Sequence, residues 1–406
     1  MTEERQAFKH AQRLAEIRGF GIDRTALAAD ALRSDWPVLR MENLDTDLPL
    51  PPEAIPETVA GLERPASNSW LPFTGDMDLR AAISDFTAAR TGHRYDPERE
   101  IIVTSGGTSA ILDVLLATVD PGDEVLLTDP TYAGIVNRVR LAGGVPRLVP
   151  YRVRDGEWRI DLDGFAAAAA ARPALAVIMS PSMPSGAVLT GDDWEAASEL
   201  LQRHDVPLLY DAAMERLLFD GRPLVHPVRL PGMVDRTVIV GSLSKEHRMI
   251  GWRVGWVAGP AELVESVGWA HIYNTTMPTA LSRFPAAAVL RGDQEHVAEC
   301  VAELEARRDV ILDALDGWPV VRPGGGWSLL IDAIALGTTP PELSRQLLAD
   351  AAIAATPMTG WGGEVADRHV RLVYSAESLE RLRTIPERIA GTQLEAYGRS
   401  PRSAPA

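Results

Sequence analysis

From about residue 76 onward, short apolar runs alternate with amphipathic stretches. The runs 100–104 (EIIVT), 124–128 (EVLLT), 175–180 (LAVIMS), 207–211 (PLLYD), 237–241 (TVIVG) and 254–258 (VGWVA) are apolar at successive positions, and a shorter run lies near 146–150. Unbroken runs of this length predict strands covered on both faces. Between them the helical period predicts a helix capped by Asp76 or Asp78, with Leu79, Ile83 and Phe86 on its apolar face. Further helices are predicted from about Thr108, near 134–142, over the alanine run 166–171 and near 192–204. Apolar strands joined by crossover helices predict an α/β domain with a large, mostly parallel sheet. Ligands bind such sheets in the loops at strand ends.

The pattern changes after Pro278. Helices dominate to about Gly317, including a long charged one from about Glu295. A strand at 327–333, a helix at 341–350, strands near 353–356 and at 369–374, and a final helix in SLERLRTIPERIA predict a smaller α+β domain. Upstream, Phe8, Ala11, Leu14 and Ile17 predict a helix over residues 1–18, and a second runs from Thr25 to Leu32. Prolines between 37 and 56 mark an extended lead-in. The expected division is an N-terminal helical segment, 1–42, on the small domain or a dimer partner. A large domain, 43–285, a small domain, 286–395, and a disordered tail, 396–406, complete it.

Composition narrows the function. The 406 residues are 46% apolar and 24% charged, which is ordinary for a globular enzyme. A net charge of −16 argues against a nucleic-acid partner. The single cysteine, Cys300, excludes an intramolecular disulfide and fits a reducing cytoplasm, where it reads as a core helix residue. The N-terminus is too polar for a signal peptide. No run of roughly 18 apolar residues predicts a membrane span. No metal is expected.

Nearly every cation is written as arginine, and the only lysines are Lys9 and Lys245. Arginine cannot replace lysine where an amine must lose its proton and attack a carbonyl. Lys245 is therefore a candidate Schiff-base nucleophile. Ser242, Ser244 and Arg253 surround it in VGSLSKEHRMIGWRVGWVAG, and hydroxyls with an arginine fork suit a phosphate dianion.

The string S-L-S-K (242–245) followed by G-W-R-V-G-W (251–256) resembles the cofactor signature of class I and II aminotransferases, the fold-type I enzymes that use pyridoxal 5'-phosphate (PLP). The resemblance extends from about Asn43 to about Arg388. It implies the two-domain fold above, a homodimer with active sites at the subunit interface, and an amino-acid substrate. It implies that Lys245 holds PLP as a Schiff base and that Ser242 and Arg253 hold its phosphate. Gly107 and Thr108 join them, in a Ser-Gly-Gly-Thr turn that opens a helix, where glycine and a helix N-terminus suit an anion. Tyr132, after Asp129-Pro130-Thr131, is placed against the ring. Asp211, 34 residues before Lys245, pairs with the ring nitrogen and keeps it protonated, so that the ring can take up electrons. Arg371, in RHVRLVYS, resembles the family arginine that clamps the substrate carboxylate, a bidentate task for which lysine is no substitute. Trp361, Arg248 and His247 are candidates for touching the substrate side chain.

The departures are as specific. SPSMPSG (180–186) stands where the family writes N-P-x-N-P-T-G, so Met183 replaces an asparagine that donates to the cofactor's phenolic oxygen. Met214 replaces a tyrosine with the same task, and Trp70 replaces the tyrosine that reaches the phosphate across the dimer. Methionine donates no hydrogen bond. Loss of both donors favours a protonated Schiff base. Transamination is one expected outcome. The alternative is a natural-product tailoring enzyme performing β-elimination or oxygen-dependent, possibly decarboxylative, oxidative deamination. A DNA-binding regulator with an appended aminotransferase-like domain does not fit, because the 40 or so residues before the matching region are not basic.

Overall fold

The structure is a computed structural model that describes residues 11–17, 19 and 21–399. Its strands, in chain order, are β1 (Leu39–Arg40), β2 (Ile101–Thr104), β3 (Glu124–Asp129), β4 (Val145–Arg154), β5 (Glu157–Ile160), β6 (Leu175–Met179) and β7 (Leu208–Asp211). They continue as β8 (Thr237–Ser242), β9 (Gly255–Ala258), β10 (Ser328–Asp332), β11 (Ile353–Ala354), β12 (Thr356–Pro357) and β13 (His369–Val373). Eight of them form one sheet in the order β2-β9-β8-β7-β6-β3-β4-β5. Its central strands pair in parallel, while β9 runs antiparallel between β2 and β8, and β5 antiparallel to β4. The C-terminal ends of β2, β3, β6, β7 and β8 therefore share one edge with the start of β9.

The apolar runs form strands because both sheet faces are covered. Every residue of β2, β6, β7, β8 and β9 is buried. One face packs Phe86, Trp158, Trp194 and Trp256, and the other packs Ile111, Val114, Val136 and Val264. The crossover helices start where side chains cap them. Asp76 accepts from the Asp78 N–H ahead of Met77–Thr91, and Thr190 forms a reciprocal capping box with Asp193 ahead of Gly191–Arg203. A second sheet, β10-β13-β12, is antiparallel, and β1 pairs in parallel with β11 beside it.

Several local expectations are corrected. β4 runs to Arg154 and turns back through Asp155 and Gly156, both at positive φ, into β5. This Asp-Gly hairpin was absent from the expected elements, although Asp-Gly between strands is a strong turn signal. The helix placed at Thr25–Leu32 occupies Ile22–Ala31. Of the helix expected over 1–18, Phe8 and Lys9 lie outside the described residues. Gln12–Leu14 is a single 3-10 turn, with Leu14 48% exposed and no core to hold an apolar stripe. The final helix is two short ones, Leu379–Leu382 and Ile385–Ile389, with Pro386 in the first turn of the second. Of the tail expected to be disordered over 396–406, residues 400–406 lie outside the described residues, and residues 396–399 belong to a 3-10 helix over Gln393–Arg399. There Tyr397 packs edge-on against Trp318 and donates to Gln346 Oε1 at 3.0 Å.

Candidate active site

The strand ends bring together most of the residues singled out by motif. Asp211 closes β7 and Ser242 closes β8, two neighbouring parallel strands. Gly106 and Gly107 follow β2 and open the helix Gly107–Thr118. Arg253 immediately precedes the Val254–Gly255 start of β9, in the left-handed region at φ 54°.

Three of these make a close cradle. A Cβ on Gly106 would lie 2.4 Å from an Arg253 guanidinium nitrogen, and one on Gly107 would lie 3.3 Å from Ser242 Cβ. A Cβ on Gly255 would meet the Gly107 nitrogen at 2.4 Å. Only glycine lets the helix N-terminus, the Ser242 hydroxyl and the Arg253 fork converge this closely. The result is a concave set of donors suited to an anion. Thr108 is partly buried beside it, and its carbonyl accepts from Arg138 Nε at 2.8 Å.

Asp211 is 5% exposed and accepts from the Ala213 N–H at 3.1 Å. Burial raises its pKa to about 6, against the pull of that N–H and of Lys245. Lys245 is partly buried, with Nζ 4.4 Å from the centre of the Trp327 ring. Burial, reinforced by the charges of Arg371 and Arg253, lowers its pKa to about 8. In cofactor-free protein, amine-selective acylation mapped by peptide mass is expected to show Lys245 titrating near pH 8, with Lys9 as the internal reference. A midpoint near the ordinary value of 10.5 would remove the case for a tuned amine.

Arg371 sits in the middle of β13 and is fully buried. One guanidinium nitrogen donates to the Glu42 carbonyl at 2.6 Å, while Nε and Nη1 have no hydrogen-bond partner among the described residues. Leaving such donors unpaired costs about 1–3 kcal/mol each unless a ligand supplies the acceptor. Part of the guanidinium is therefore left without an acceptor among the described residues. Trp361 is fully buried, holds the Arg371 guanidinium at 4.5 Å from its ring centre and meets Tyr132 edge-on at 6.3 Å. The Tyr132 ring lies over Gly134, where a Cβ would come within 2.3 Å of it.

Other candidates fall elsewhere. Trp70 is 75% exposed on a loop and does not enter the site from within this chain. Met183 and Met214 are buried in one apolar cluster with Met179 and Trp327, so neither side chain faces water. Arg248 donates to the Pro49 and Glu246 carbonyls, and His247 hydrogen-bonds His296 at 3.0 Å. Both are engaged inside the protein. Sequence reasoning missed Trp327 beneath Lys245, and a buried group of Arg90, Glu215, Arg216 and Glu246 behind Asp211. No spacing rule marks either one. Among the described residues no group of side chains has the makeup of a metal site, and no helix is long and apolar enough to cross a membrane.

Comparison with known proteins identifies this arrangement. The sequence profile of the family described as aminotransferase class I and II matches residues 40–389. The chain belongs to that family.

Arginine–pyruvate transaminase AruH of Pseudomonas aeruginosa is 33% identical over 379 residues, 88% of this chain and 89% of that protein. An aspartate aminotransferase of Geobacillus stearothermophilus is 32% identical over 329 residues, 79% of this chain and 82% of its own length. Among solved structures, N-succinyldiaminopimelate aminotransferase from Mycobacterium tuberculosis superposes with a TM-score of 0.87 at 27% identity, covering 94% of this chain and 99% of that one. The fold is fold-type I, the cofactor is PLP and the chain is a transaminase acting on an amino acid. The glycine cradle, the lone amine and the half-paired Arg371 fork fit a phosphorylated aldehyde and its amino-acid partner.

Proposed function

We propose that this aminotransferase works through Lys245, Asp211, Tyr132 and Arg371, and the half-paired Arg371 fork is the observation that carries the reading. Gly107, Thr108, Ser242 and Arg253 hold the cofactor phosphate, and Lys245 holds its aldehyde carbon. When bound, PLP supplies a carbonyl that condenses with amines and a ring that accepts electrons. Arg371 takes the substrate carboxylate in a two-bond grip, braced by Trp361. As a free amine, Lys245 would move the proton at the substrate Cα. Its lowered pKa leaves about a tenth of the amine neutral at pH 7. Asp211, ionised beside a cationic ring nitrogen, holds a proton on that nitrogen.

The site works as a homodimer in a reducing cytoplasm. Leu116, Trp269 and Tyr273 line one open groove on the two helices behind the phosphate cradle, and Tyr273 is 84% exposed. Apolar surface of that kind marks a protein contact. The exposure of Trp70, 75%, supports a role at the partner's phosphate site, and the one cysteine is buried and free. Leu39 and Arg40 go with the small domain, as the β1–β11 pairing supports, whereas Glu16 reaches Arg140 of the large domain. The large and small domains divide near 285.

The deciding experiment incubates the loaded protein with a panel of amino acids, with and without a 2-oxo acid and with and without oxygen, and reads products by mass. Turnover that needs the 2-oxo acid is expected. Turnover that needs oxygen, or neither, would overturn transamination.

Met183 and Met214 give a second expected result. With no donor at these positions, the visible chromophore of the loaded protein keeps its protonated band across neutral pH. Met214→Tyr is expected to lower its titration midpoint by about one to two units, because a charge-assisted hydrogen bond is worth about 1.5–3 kcal/mol. Coincident midpoints in a spectral titration would show that another group already donates there.

A further inference from the structure

The loops that carry Asp211 and Lys245 leave neighbouring strands. Asp211 lies opposite Val240 in the β7–β8 pairing, so the two loops emerge side by side. Two side chains of the Lys245 loop reach Arg216: His247, whose Nε2 lies 3.5 Å from Arg216 Nη2, and, more closely, Glu246. The Glu246 carboxylate, next to Lys245, accepts the Arg216 backbone N–H at 2.8 Å and the Arg216 Nε–H at 2.7 Å. Glu246 is 3% exposed, and an Arg90 nitrogen lies 3.5 Å from it. Arg90 packs on the Phe86 ring at 3.3 Å and reaches Glu215 at 3.4 Å. Arg216 also donates to Gln294 Oε1 at 3.1 Å. A cavity lined by Arg90, Glu215, His226, Glu246 and Ser242 connects this group to the phosphate cradle.

Two buried carboxylates and two guanidinium groups balance in charge. Such a group adds little net stability, because desolvation offsets the attraction. What it does supply is geometry. A carboxylate that bonds both a backbone N–H and the side chain of the same residue fixes that residue in position and orientation.

We infer that Glu246 is a positioning residue for the reaction, tying the Asp211 loop to the Lys245 loop through Arg216. This rests on the roles proposed above for Lys245 and Asp211. Asp211 holds the proton at one end of the cofactor ring and Lys245 moves the proton at the other. A strut between their loops keeps that separation constant while Lys245 is covalently engaged and while it is free. Misplacing a reacting group by about 1 Å costs roughly 10²-fold in rate. Partial loosening therefore costs turnover while leaving substrate binding in place.

The test is a double-mutant cycle on PLP-loaded protein with Glu246→Gln, Arg216→Gln and the pair. Glu246→Gln keeps side-chain volume, Arg216→Gln shortens the side chain but keeps a polar head, and the double variant leaves no isolated charge of the strut's own making. Each single change is expected to lower kcat about 10- to 100-fold with KM within twofold. Each should also shift the titration midpoint of the visible chromophore at unchanged cofactor content; Tm is expected to fall in the singles, where one charge loses its partner, and to recover in the double variant. The double variant is expected to be no slower than the slower single variant, because one connection is broken in all three. Unchanged kcat in both singles would overturn the strut. So would losses that multiply, or losses that follow cofactor content or Tm. Wild-type protein that carries no cofactor on Lys245 would sink the underlying roles instead, whatever the variants do.

Discussion

Lys245→Arg is expected to keep the site's positive charge and to lower turnover by about 10⁴-fold. Borohydride reduction of the PLP-loaded wild type should add one cofactor mass per chain, and the variant should add none. The reason is specific to the side chain. Guanidinium stays protonated, whereas the buried Lys245 amine has a pKa brought down to about 8. Arginine can neither attack the aldehyde nor carry a proton from Cα. Since Lys9 is the only other lysine, peptide mapping separates the two sites cleanly. A borohydride-fixed mass that persists in the variant would place the cofactor elsewhere.

Asp211→Asn is expected to retain PLP and to lose turnover by on the order of 10²-fold or more. The amide is the same size and keeps an acceptor for the Ala213 N–H, so the strand end should hold its shape. It cannot hold a proton on the ring nitrogen. The cost therefore falls on the electron-accepting step, and KM changes little. The pH direction follows from burial. The Asp211 carboxyl is raised from 3.8 to about 6 in the unloaded protein, so its negative charge is present above that value and lost below it. A cationic ring nitrogen reverses this by favouring the anion. Loading should accordingly extend the pH range over which Asp211 is ionised to lower values. Near-normal turnover of the variant would reduce Asp211 to a structural strand end.

The sequence carried most of the sheet because fully buried strands write themselves as unbroken apolar runs. β2, β6, β7, β8 and β9 were legible for that reason. β5 was not, because its residues alternate in burial and its run, EWRI, is short and half polar. The last helix read as continuous because its apolar period carries on past Thr384, whereas the backbone restarts at Ile385. The motifs singled out Gly107, Asp211, Ser242, Lys245 and Arg371: Asp211 and Ser242 close strands, Arg371 lies inside one, Gly107 opens a helix and Lys245 sits in the loop after β8. Trp361 also packs against Arg371 and Tyr132, contacts that no motif announces. Glu246 went unread because its meaning depends on Arg216, thirty positions away in the chain and one hydrogen bond away in space.

The placement of Arg371 bears on how such a chain changes its diet over evolutionary time. Its Cα pairs with Leu330 on one side and Thr356 on the other. A residue pinned between two strands cannot drift without unzipping both, so the carboxylate grip proposed for Arg371 would be the least negotiable part of the pocket. Loops have no such constraint and tolerate substitution and insertion. The segment 43–50 and the turn 361–365 are of that kind, and the second is tethered by Val365 N–H to Asp129. New substrates should therefore be acquired by editing those loops around an unchanged anchor. Directed libraries confined to them should yield altered side-chain preference at little cost in folding.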